Sequence, residues 1–283
     1  MKRGLVLEGG AMRGMFTAGV IDVMMENGIE FDGAVGVSAG AAFGCNYKSR
    51  QIGRAIRYNT RFCNDPRYCG IRCILKEGNL YSTSFCYGEV PLKYDVFDFE
   101  TFKNNPMEFY VVCTDVFTGK PVYKKCDEFE NKNFDWIRAS ASMPVVSRVV
   151  EVDGYSLLDG GVSDSIPIKF FEDIGYDRNI VVLTQPRGYV KKPNKLAPFL
   201  KLFMLKYPNL AKSLKNRHLD YNNSTEYILN KEKEGKLLVI APEEKLDVGK
   251  TEKDPQKLLA VYNIGRKTAL ERLEEIREYL NKE

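Results

Sequence analysis

A serine hydroxyl attacks an ester when a neighbouring group takes its proton and backbone donors stand ready for the oxyanion that forms. Residues 36–40, GVSAG, supply such a hydroxyl. Gly36 and Gly40 permit a sharp strand-to-helix turn that lifts the Ser38 oxygen clear of the backbone at a helix N-terminus. A close-packed turn holding a small serine is the plainer reading of the same five residues. The flanks favour the first reading: FDGAVGVS (31–38) is apolar like a strand, and the small-residue run AGAAFGCNYKS after it suits a closely packed helix.

EGGAMRG (8–14) is a second turn that closes a strand and opens a helix. Gly9 and Gly10 let backbone N–H groups converge on an anion, and the dipole of the following helix adds to the attraction. A dinucleotide loop also starts this way. Here Ala11 takes the middle place in the frame from Gly9 to Gly14, no acidic residue is placed for a ribose, and the lysine and hydroxyl of a P-loop are missing, so an oxyanion is the better guest.

The proton acceptor is the harder choice. The chain has one histidine, His218, and the order Ser38, Asp159, His218 is that of the α/β-hydrolases. His218 lies in the polar run KSLKNRHLDYNN, however, where a solvated imidazole is expected. Asp159 lies in LLDGGVSDSIP, after a strand and before Gly160 and Gly161, where a carboxylate can come close to another backbone. A partly desolvated aspartate can take a serine proton directly. An ordinary DGG turn is the competing reading. Asp115 and Asp164 read as strand-end or turn residues.

These residues need a frame that brings distant turns together. RGLVLEGG (3–10), FDGAVGVS (31–38), EFYVVCTDV (108–116), YSLLDGG (155–161), RNIVVLTQ (178–185) and GKLLVIAPE (235–243) match core strands. A helix over 12–28 and another over 254–280 lie among them. Strands alternating with helices predict an α/β fold, a three-layer α/β/α sandwich with a mostly parallel central sheet, and residues 1–283 read as a single domain.

Composition narrows the setting. In 283 residues there is a formal charge of +4 and a pI near 8.5, too mild a bias to name a partner. The seven cysteines suit a reducing compartment better than a disulfide framework, and those at 63, 69 and 73 lack paired zinc-ligand spacing. With no apolar leader at the start and no run long enough to span a bilayer, a cytoplasmic location is expected. Residues 187–217 hold nine lysines and arginines, no acidic residue and an interleaved set of leucines and phenylalanines. Such a segment suits peripheral contact with an anionic membrane, or an ordinary surface helix pair that buries its leucines under lysine stems. No motif for nucleic-acid binding accompanies it.

Taken together, GGAMRG (9–14), GVSAG (36–40) and DGG (159–161), with ASASMPVV (139–146) and RNIVVLT beyond them, resemble the bacterial branch of the patatin-like phospholipases in order and spacing. The resemblance implies that Ser38 is the nucleophile, Asp159 its proton acceptor in a dyad without histidine, and Gly9, Gly10, Ala11 and Arg13 parts of the oxyanion loop. It implies hydrolysis of lipid acyl esters of phospholipid, lysophospholipid or acylglycerol type, without metal or cofactor. Arg13 has two readings under it: it bonds loop carbonyls, or it meets a substrate phosphate. One departure stands out. Ala11 replaces the family's usual third glycine, so a positive φ there would be strained. Two classes follow, a serine acyl hydrolase and a non-catalytic or weakly active lipid- or membrane-binding module on the same fold.

Overall fold

In the computed structural model, which describes residues 1–129, 134–193 and 205–282, the β-branched runs form one eight-stranded sheet. Its strands are β1 (Lys2–Leu7), β2 (Gly33–Val37), β3 (Glu108–Asp115), β4 (Pro121–Lys125), β5 (Val150–Val152), β6 (Tyr155–Asp159), β7 (Tyr176–Val182) and β8 (Leu237–Ile240). The order is β5-β6-β3-β2-β1-β7-β8, with β4 also paired to β3. From β3 to β8 every pairing is parallel. β4, β5 and β6 are antiparallel additions. The expected strand over 155–161 is therefore real but runs against its neighbour, and β4 and β5 are strands the sequence reading did not anticipate.

One register matters for function. Cys113 pairs with Val122 of β4 and Asp159 of β6, while Tyr110 pairs with Lys125 of β4 and Val35 of β2. A residue has one edge for each partner, so β2 and β6 share the same edge of β3, end to end. Val37 lies opposite Val112 and Asp159 opposite the next residue, Cys113. The C-terminal ends of two strands far apart in sequence thus meet head to head.

Helices cover both faces, as expected for three layers. Ten α-helices are used below where needed: α1 (Gly14–Glu26), α2 (Ala39–Lys48), α3 (Arg54–Phe62), α4 (Ile71–Glu77), α5 (Phe99–Asn104), α6 (Asp135–Ser140), α7 (Ile168–Asp173), α8 (Pro208–Lys233), α9 (Pro255–Glu271) and α10 (Leu273–Asn281). Strand alternation sends Leu5, Leu7 and Ala34 into one core with α1, α2 and α9, and Val6, Val35 and Val37 into the other with α7 and α8. Where α1 crosses α9, Gly19 faces the Tyr262 carbonyl and Gly265 faces the Phe16 carbonyl, leaving no room for a side chain at either. The single C-terminal helix expected over 254–280 is two, interrupted at Arg272, whose guanidinium reaches the Val239 carbonyl and Glu275.

The basic segment 187–217 divides. Residues 194–204, with most of its leucines and phenylalanines, lie outside the described residues. From Pro208 onward it is the first part of α8, started by a proline at its first position and packed inward through Leu210, Tyr221 and Ile228. No helix of the described residues is long and apolar enough to cross a membrane.

Candidate active site

The chain turns from β2 into α2 at Ser38, whose φ of 54° and ψ of −117° lie outside the conformations that L-residues favour. Strain of that kind costs roughly 1–3 kcal/mol and persists only where surroundings impose it. The surroundings are visible. A side chain at Gly36 would strike the Gly40 carbonyl and the Ala41 nitrogen, and one at Gly40 would strike the Leu7 carbonyl. The Ser38 N–H donates to Ser140 Oγ at 2.8 Å, and that hydroxyl donates to the Val112 carbonyl at 2.6 Å. Ser140, at the end of α6, is a residue the sequence reading missed, since nothing in ASASMPVV says which serine reaches back.

Head-to-head strands bring Asp159 to Ser38. Ser38 Oγ donates to Asp159 Oδ2 at 2.8 Å, and Asp159 Oδ1 accepts the Gly161 N–H at 2.7 Å. The Asp159 backbone is fixed as well, its N–H on the Ser142 carbonyl and its carbonyl receiving the Thr114 hydroxyl. Burial pushes the Asp159 carboxyl above its ordinary range, against the pull of the Arg217 cation, the Ser38 hydroxyl, the Gly161 N–H and Lys250. Arg217 reaches this turn from α8 and donates through Nε to the Gly161 carbonyl.

His218, the next residue on α8, goes elsewhere. Its Nδ1 meets the Lys215 carbonyl of its own helix at 3.1 Å, and among the described residues it contacts neither Ser38 nor Asp159. Asp115 accepts the Thr118 N–H as a turn residue, and Asp164 is held by the Tyr123 hydroxyl and the Ile166 N–H.

The glycine loop lies against the elbow. A side chain on Gly9 would come 3.2 Å from Ser38 Cβ, one on Gly10 would press into Thr184, and Gly14 sits under Phe43 and Ala39. Ala11 adopts a φ of 50°, the left-handed conformation that a glycine would take without strain. The N–H groups of Gly9, Gly10 and Ala11 meet no acceptor among the described residues, which leaves them for a guest. Behind the loop, buried Glu8 accepts the Thr184 N–H at 2.5 Å and the Tyr221 hydroxyl at 2.9 Å. Burial raises the Glu8 carboxyl too. Arg13, read as bonding loop carbonyls or meeting a substrate phosphate, has a buried Nε that is unpartnered among the described residues.

A cavity enclosing about 820 Å³ of empty space, its open mouth included, begins at Ala11, Met12 and Ser38 and runs along Phe43, Tyr87 and Ile137. Its lining is mostly apolar, the character of a site for an apolar ligand. All seven cysteines are free thiols, and no group of three or more metal-ligating side chains occurs among the described residues.

Residues 5–171 match the family model described as patatin-like phospholipase, and residues 207–281 match one described as a domain of unknown function (DUF6363). An uncharacterized Escherichia coli K12 protein, YjjU, is 33% identical over 201 residues, covering 64% of this chain and 52% of that protein. A lysophospholipase nte1 of Aspergillus oryzae is 27% identical over 186 residues, 62% of this chain and 11% of its own length. An uncharacterized NTE family protein of Mycobacterium bovis is 28% identical, with 63% and 48% covered. The chain thus spans about half or less of these relatives. Among solved structures, VipD from Legionella pneumophila aligns over 97% of this chain and 67% of its own, with a TM-score of 0.47 and 13% identity.

Proposed function

The chain belongs to the patatin-like phospholipase family, and from that premise we propose that it is a serine hydrolase of lipid acyl esters, of phospholipase A or lysophospholipase type, working through a Ser38–Asp159 dyad. The observation that carries this reading is the 2.8 Å hydrogen bond from a strained, elbow-mounted hydroxyl to a buried carboxylate at the mouth of an apolar cavity.

With the acyl chain in the cavity, the ester carbonyl rests beside Ser38. Oγ attacks the carbonyl carbon as its proton passes to Asp159, and the resulting oxyanion takes the open N–H groups of Gly9, Gly10 and Ala11. The intermediate collapses with Asp159 returning the proton to the departing alcohol. Water, deprotonated by the same carboxylate, then releases the fatty acid from Ser38. A carboxyl raised by burial is a stronger base for both steps than one in water. In this reading residues 1–283 act as one catalytic unit, because α8 supplies Arg217 and Tyr221 to turns formed by the first 161 residues.

Hydrolysis of a short-chain p-nitrophenyl ester and of a lysophospholipid tests the dyad. Ser38→Ala and Asp159→Asn are expected to lose about a thousandfold or more in kcat, and His218→Ala to stay within about twofold of wild type. A dead but folded His218→Ala would instead install the triad. A wild type inert to both esters and to a fluorophosphonate probe would make the protein a lipid-binding module.

A further inference from the structure

Four cations act electrostatically on the groups around the dyad. Arg13 belongs to the glycine loop, with its buried Nε unpartnered. Arg217 is on Gly161, two residues from the base. Lys191 is clamped to α8 by a two-point bond between its backbone and the Asn222 amide, and its Nζ lies 4.1 Å from the centre of the Tyr221 ring, whose hydroxyl binds Glu8 beneath the loop. The Lys250 carbonyl receives the hydroxyl of Tyr81, which lines the acyl cavity. None of the four pairs with a carboxylate among the described residues, although most other arginines in the molecule do.

Their charges act on one another. Desolvation, followed by Arg217, holds the Lys191 ammonium down to about 8, and Arg13 and Lys250 push the same way against Glu8 alone. Like charges held together beside half-buried walls are unfavourable unless an anion joins them. The two carboxylates nearby do not serve: Glu8 and Asp159 are buried and bonded.

We infer that Arg13, Lys191, Arg217 and Lys250 form an anion-binding rim that takes the phosphate of a net-anionic lipid head group while the acyl chain occupies the cavity. The identity of that guest rests on the acyl-hydrolase reading. A zwitterionic choline head has less to gain, because a quaternary ammonium needs an aromatic face or a carboxylate. The Tyr221 face already carries Lys191. Three of the rim residues lie beyond the span matched by the phospholipase model, so the preference belongs to the C-terminal third of the chain.

The test is equilibrium binding to the Ser38→Ala protein of residues 1–283, with lysophosphatidylglycerol, lysophosphatidylcholine and monoacylglycerol of one chain length, each below its micellar concentration. The anionic lipid is expected to bind about tenfold tighter than either other. Adding Lys191→Gln and Lys250→Gln should erase that margin. Raising salt from about 0.05 to 0.5 M should shrink it without any substitution, which guards against a variant that fails to fold. Equal affinity for the three lipids, or a margin indifferent to both changes, overturns the rim. Inorganic phosphate binding as tightly as the lipid would make it a free-phosphate site and overturn the head-group assignment. A preference that persists in a wild type unable to hydrolyse any ester would sink the hydrolase and leave the rim; hydrolysis without preference does the reverse.

Discussion

Ser38 and Asp159 each sit in a short motif whose glycines serve a geometry: Gly36 and Gly40 clear the elbow, and Gly161 turns its N–H onto the carboxylate. A motif of that kind can be read in a sequence, whereas Ser140, Glu8 and Arg217 each work through a partner more than 50 residues away and carry no local signature. Ala11 was legible as an oddity, and its φ of 50° bears that out. The left-handed region costs an alanine about 1–2 kcal/mol, while glycine gives back roughly 0.4–1 kcal/mol through its freer unfolded chain. Ala11→Gly is therefore expected to be about 0.5 kcal/mol more stable in urea unfolding. A destabilised Ala11→Gly protein would mean that the loop does not hold this residue at positive φ.

At the scale of elements, hydrophobic patterning located six strands and the helices after the first, second and last of them, but not the direction of every strand. Tyr155–Asp159 has the same apolar alternation whether it runs with β3 or against it, and only its register with Cys113 shows why it ends at Ser38. The polar stretch around His218 was read as a surface run, and the face that matters is the other one, where Arg217 and Tyr221, four residues apart, lean on the DGG turn and on Glu8. The Arg217 cation holds the Asp159 carboxyl down against burial. Removing it in Arg217→Gln should let that carboxyl rise, so the acid limb of kcat/KM moves to higher pH, with Arg217→Lys in between. An unmoved limb beside a lowered kcat would reduce Arg217 to packing.

Across the whole molecule, the first and last thirds of the chain are joined by a buried acid. Asp22 on α1 accepts the Tyr262 hydroxyl of α9 at 2.7 Å and the Gly53 N–H at the start of α3 at 3.0 Å. Burial raises it to about 6 despite those donors. The folded state thus holds this proton more tightly than the unfolded chain does, so its contribution is full below the unfolded value near 3.8 and is lost as pH rises through about 6. Asp22→Asn has no proton to lose. Its unfolding free energy relative to wild type should improve by up to about 3 kcal/mol between pH 4 and pH 7.5. A constant difference across that range would place the titration elsewhere.

The meeting of β2 and β6 on one edge of β3 also has a consequence in time. Ser38 and Asp159 are 121 residues apart, and Arg217 follows 58 later. During synthesis the serine emerges long before the strand that carries its base, and before the helix that braces the base. A ribosome-bound chain that has not yet made β6 holds the GVSAG segment without Asp159, so on the dyad reading Ser38 gains its proton acceptor only after that strand pairs with β3.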